Sequence, residues 1–191
     1  MQRPHNKQTS KRIVLKTVVI FLGSYLIFLI LWIQVKDYYG YTVAFITSEL
    51  MPLIKDVHFE EMREEKGIIQ ASFSRPLKRQ ADLLIDIPIK TSSYTFNAPL
   101  TFGIMAALFP FIRKRWKAYG EALLILFGVH LLYVFSLEAI SLTKVFVQSG
   151  LDAVSKPRQL AYQFLWGFTD NMVIRFEPFL IGFYIFIRFR K

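Results

Sequence analysis

The chain has no cysteine in its 191 residues. Disulfides, thiolate catalysis and cysteine-based metal sites are therefore excluded, and cysteine usage says nothing about the redox compartment. Histidine is nearly as scarce. His5, His58 and His130 are the only three, and they show no metal-ligand spacing. No glycine-rich phosphate loop occurs. Ser24, Ser136 and Ser141 lie in apolar helical stretches with no ordered Ser-His-Asp arrangement. Acidic residues number 14 against 24 lysines and arginines, which leaves a formal charge of +10. The paired carboxylates Glu60-Glu61 and Glu64-Glu65 read as a solvated strand end and turn, since catalytic carboxylates must face each other across a cleft. There is no internal repeat, and the apolar segments differ too much for a transporter-type inverted repeat.

What is present is apolar and aromatic. Mean hydropathy is +0.35, 53% of residues are hydrophobic and 19 are phenylalanine, which is more than a soluble domain of this size carries. Half of the basic residues fall in three acid-free clusters: Arg3, Lys7, Lys11, Arg12 and Lys16; Arg113, Lys114, Arg115 and Lys117; and Arg188, Arg190 and Lys191. The segment 36–94 is almost neutral, with 8 basic and 9 acidic residues. The excess charge thus flanks apolar runs and does not form the basic surface that nucleic acid requires, so no nucleic-acid partner is expected. Lysine and arginine mark the cytoplasmic ends of membrane helices, and an even number of crossings separates clusters on one side.

A crossing needs about 20 mainly apolar residues. Four segments are expected, at 13–35, 94–112, 120–142 and 164–187, with Lys16 snorkelling to the interface. The expected fold class is mainly α: a four-helix transmembrane bundle in the lipid bilayer with a small extracytoplasmic α+β insertion between helices 1 and 2. The basic tail 1–12, the turn 113–119 and the tail 188–191 are then cytoplasmic. The loops 36–93 and 143–163 lie outside. The run from Thr17 to Val35 is too long for a typical signal core and no small-residue cleavage site follows, so it reads as an uncleaved anchor. Trp32, Tyr38, Tyr39, Tyr94, Trp116 and Tyr119 fall near segment ends, where aromatic belts form.

Within 36–93, Val43, Ile46, Leu50 and Ile54 recur at helical spacing and predict a short interfacial helix over 41–54. Ile69, Ala71 and Phe73 alternate with Gln70, Ser72 and Ser74, and Leu83, Ile85, Ile87 and Ile89 alternate with Leu84, Asp86, Pro88 and Lys90. That alternation predicts two half-buried strands. Pro88 makes the second an edge. A further strand opens at 57–59 and turns at Glu64-Glu65-Lys66-Gly67. Such a meander is too small to fold alone and must rest on the helix or on a partner.

Polar groups at membrane depth each need an account. Glu177 lies about 16 Å from Arg188 along a helix, near the midplane, and Arg175 lies slightly further out. With Asn97, His130, Glu138 and Asn171 they form the candidate intramembrane polar cluster, either a substrate, peptide or proton site or a set of pairs that fixes helix register. Pairing of Arg175 with Glu138 on the neighbouring helix is expected, because a lone arginine at that depth costs about 2.5–3.5 kcal/mol. Pro178 predicts a kink in the last helix. No catalytic residue, cofactor or metal site is assigned.

Two stretches carry a resemblance. Phe96 to Phe109 reads FNAPLTFGIMAALF and is followed by the basic turn, and Ala161 to Tyr184 reads AYQFLWGFTDNMVIRFEPFLIGFY. An Asn-x-Pro-Leu helix start and a Tyr-Gln-containing last helix with a mid-membrane proline resemble the small membrane proteins associated with exosortases, in particular the exosortase H-associated type. The resemblance covers about half the chain. It implies a bacterial inner-membrane accessory protein whose partner is an exosortase-like membrane transpeptidase acting on C-terminal sorting signals. Exosortases use a catalytic cysteine, so this chain is not that enzyme. The residues leave two other classes open: a small transporter or channel subunit, and a membrane-embedded enzyme acting on lipid or peptide.

Overall fold

The computed structural model of the chain describes residues 6–77, 82–150 and 155–190, residues 6–10 by their backbone alone. Arg3, Lys191 and positions 151–154 of the expected second outer loop lie outside the described residues. The fold is mainly helical with one three-stranded antiparallel sheet. In chain order the elements are α1 (Asn6–Leu50), β1 (His58–Glu65), β2 (Ile68–Arg75), β3 (Leu83–Lys90), α2 (Thr91–Thr95), α3 (Ala98–Leu108), α4 (Arg115–Gln148), α5 (Lys156–Phe168) and α6 (Ile174–Phe189). They build two compact units: 1–34, 96–126 and 177–191 make the first, and 35–95 and 127–176 the second.

Among the described residues two helices, α1 and α4, are long and apolar enough to cross a membrane. Helix α1 has 45 residues, about 68 Å, and so exceeds the roughly 30 Å of a hydrocarbon core. Its side chains Ile13, Val14, Leu15, Val19, Leu26 and Ile30 are exposed, an apolar surface that lipid accommodates and water does not. The other two expected crossings are not single apolar helices. Helix α3 has 11 residues and ends in a 3₁₀ turn at Phe109–Phe111. Helices α5 and α6 have 13 and 16 residues and are joined through a π-helical turn, Thr169–Val173. Each is shorter than the 20 or so residues a crossing needs. Pro178 lies inside α6.

The first unit is held by close helix approach. A Cβ on Gly182 of α6 would lie 2.6 Å from the Ile104 side chain of α3, so only glycine lets these two backbones meet. Phe102 near the start of α3 stacks on Phe28 and Trp32. Ala107 and Leu108 at its end share a groove with Thr17, Val18 and Phe21, so α1 and α3 run antiparallel here. Ala118, Ala122 and Leu126 of α4 share a core with Ile181, Ile185 and Phe189 of α6. The backbone N–H of Arg113 donates to the Phe189 carbonyl at 2.7 Å, and Arg188 pairs with Glu121 at 3.2 Å. Thr17, Leu108 and Phe186 line one groove. The turn at 113–117, the end of α6 and the Lys16 end of α1 therefore gather at one end of this unit.

In the second unit the expected separate helix at 41–54 is the continuation of α1. No proline lies within α1, and a 3₁₀ turn at Met51–Leu53, with Pro52 in it, ends the run. The expected stripe also shifts: Val43, Ala44, Thr47, Ser48 and Met51 are buried, whereas Leu50 and Ile54 are exposed. The meander has the order β1-β2-β3, so Pro88 is on an edge strand, as its missing N–H requires. Lys66 and Gly67 both take positive φ, 54° and 75°, the geometry of a two-residue hairpin turn. Ile69, Ala71, Phe73, Ile85, Ile87 and Ile89 face one core with Val43 and Ala44 of α1 and Val134, Leu142 and Phe146 of α4.

Candidate functional site

The second unit contains a line of polar links between α1 and α4, each made by side chains that the helical repeat turns inward. Tyr39 Oη and His130 Nδ1 are 2.7 Å apart. Nine residues further along α1, Ser48 donates its hydroxyl to Glu138 Oε1 at 2.6 Å. Past the end of α1, Lys55 Nζ donates to Thr143 Oγ1 at 2.7 Å, and Thr143 donates on to the Ala139 carbonyl. The links ascend on both segments, 39-48-55 against 130-138-143, so α1 and α4 run parallel in this unit.

Gly40 is where α1 and α2 approach closely. A Cβ there would overlap the Thr91 side chain, and its carbonyl accepts the Tyr94 hydroxyl at 2.9 Å. Tyr94 in turn stacks on Tyr133 and meets His130 edge-on. Tyr133 touches Trp166 of α5. Lys55 sits 4.0 Å over the Tyr162 ring, also on α5, and Arg75 sits 4.3 Å over Phe146 while pairing with Asp56 at 3.6 Å. Cations are thus set over aromatic faces as well as beside a carboxylate.

The candidate residues fall as follows. His130 and Glu138 are fully buried on α4, two turns apart on one face. Glu138 Oε2 has no hydrogen-bond partner. Asn171 and Arg175 are exposed. Arg175 reaches one turn back to Asn171 Oδ1 at 3.5 Å, and Asn171 Nδ2 donates to the Gly167 carbonyl at 3.0 Å. The π turn between α5 and α6 gives that carbonyl its side-chain partner. The expected Arg175–Glu138 pair is not made: Glu138 takes the Ser48 hydroxyl on Oε1, and Arg175 reaches along its own helix to Asn171. Asn97 and Glu177 are buried in the first unit. The Asn97 carbonyl accepts the Thr101 amide and hydroxyl where α3 begins, and Glu177 precedes Pro178 in the first turn of α6.

Ser48, Lys55 and Thr143 were not singled out by the sequence, and Tyr39 was read only as an interfacial aromatic. Their signal was the small polar pair Thr47-Ser48 within an apolar helix, which marks an inward position only once a carboxyl is known to face it. The longest of these links runs from Lys55 through Thr143 to the Ala139 carbonyl. Among the described residues no group of three or more His, Asp or Glu could hold a metal ion.

The family model of the exosortase H-associated membrane proteins matches residues 7–189, nearly the whole chain. Neither the curated proteins nor the solved structures give a match. The chain belongs to the exosortase H-associated membrane protein family.

Proposed function

We propose that this member of the family is a non-catalytic, multi-pass accessory subunit of a bacterial exosortase H system. The observation that carries the partner is the family match over residues 7–189. The geometry supports a scheme of four crossings with both termini cytoplasmic. The basic ends gather at one end of the first unit, as the positive-inside rule demands of residues on one face. Helices α1 and α4 run parallel in the second unit, so one return must lie between them, and the segment through α2, α3 and the 3₁₀ turn at Phe109–Phe111 supplies it. The run from α5 through α6 makes the last crossing. Arg175 is then accommodated by reaching along its helix through Asn171, the snorkelling that a cation in the outer half of a bilayer needs.

On this reading the polar links are structural. They lock α1 to α4 and give the sheet a fixed platform for a partner. The test is purification of exosortase H from mild detergent. This chain is expected to be retained with it, and cells lacking the chain are expected to accumulate unprocessed substrate. If the chain is not retained and processing continues unchanged without it, the reading fails.

A further inference from the structure

A second feature lies in the first unit, away from the polar links. The turn between α3 and α4 borders an open pocket of about 530 Å³ lined by Phe109, Arg113, Lys114, Arg115, Trp116 and Tyr119. Its lining is mainly apolar, with three consecutive cations at it and no acidic residue. Arg113, Lys114 and Arg115 are exposed, and among the described residues no carboxylate pairs with them. Glu121, the nearest acid along α4, is already engaged by Arg188 at 3.2 Å and by the Tyr184 hydroxyl. Lys114 takes the left-handed backbone, φ 48°, where glycine is less strained, so the turn holds a cation at a position that does not favour one.

The aromatic residues belong to the same site. Trp116 is 91% exposed, and the Arg115 guanidinium lies 4.0 Å over the Phe109 ring. An indole standing free beside cations at the end of a membrane-crossing helix suits the headgroup layer, where one side is apolar and the other wet. Arginine and lysine there take up phosphate oxygens by charge-assisted hydrogen bonds.

We propose that this pocket is a binding site for the phosphate of an anionic phospholipid headgroup. It rests on α4 crossing a bilayer and is independent of the exosortase partnership. The phospholipid relieves the mutual repulsion of the three cations and fixes the start of α4 at the membrane face. Free phosphate shares the chemistry, so the test separates the two. The full-length protein in zwitterionic detergent is titrated with phosphatidylglycerol, with phosphatidylcholine of the same chains, and with inorganic phosphate, and bound species are counted by native mass spectrometry. Phosphatidylglycerol is expected to bind at least about tenfold tighter than phosphatidylcholine and to resist millimolar phosphate. The R113Q/K114Q/R115Q variant is expected to lose about a hundredfold in that affinity, and R12Q/K16Q to retain it. Equal binding of the two lipids overturns the proposal, and that comparison needs no variant. Displacement by phosphate reassigns the site to a free anion, and an equal loss in R12Q/K16Q reduces it to diffuse attraction; either also overturns it.

Discussion

Glu138 decides how the inner face of α4 is read. Its carboxyl is fully buried with the Ser48 hydroxyl as donor, and Arg175 lies exposed on another helix with Asn171. Ser48→Ala should therefore destabilise the detergent-solubilised protein by about 1–3 kcal/mol, because it strips a buried acceptor of its donor. Glu138→Gln, which keeps an acceptor, should cost less than Glu138→Leu. Losses from Arg175→Leu and Glu138→Leu should add to within about 0.5 kcal/mol, as expected for residues that share no partner. A double variant as stable as the worse single one would show that the two charges are coupled after all. Gly40 makes an equally local claim. Alanine gains helix propensity there, but its Cβ meets Thr91, and overpacking of about 1–3 kcal/mol should win. Thermal unfolding of Gly40→Ala with and without Thr91→Ala checks this, and the second change should recover part of the loss.

At the scale of elements, the strands were the most legible part of the sequence. Period-2 alternation at 69–73 and 83–89 located β2 and β3, and Pro88 located an edge, because a sheet with one buried face leaves that pattern in the sequence. The helices were less legible. The continuation of α1 past Val35 was hidden by Lys36, Asp37 and the tyrosines, which resemble an interface although none of them breaks a helix. The polar links were hidden for a different reason: Ser48 and Thr143 are ordinary helix residues until packing sets their partners. The sheet rests on α1 and α4 through Val43, Val134, Leu142 and Phe146, so the segment 41–90 alone lacks half of its core. Expressed without the helices it should give no cooperative thermal transition by circular dichroism. A sharp transition would show that the sheet is an independent domain.

For the whole molecule, the central proposal is that the helix ends marked by lysine and arginine are cytoplasmic and that the β-meander is extracytoplasmic. The same claim underlies the accessory role, since it puts the sheet where an outward-facing partner can reach it. The absence of cysteine makes the claim directly measurable: each introduced cysteine is the only thiol in the chain. Lys66→Cys in the hairpin, Gln148→Cys, Arg115→Cys and Lys191→Cys are expressed singly and treated with a membrane-impermeant maleimide before and after permeabilisation. Positions 66 and 148 should label in intact cells stripped of their outer membrane, and positions 115 and 191 only once the inner membrane is opened. Protection of Lys66→Cys until permeabilisation, or labelling of Arg115→Cys before it, would contradict the account.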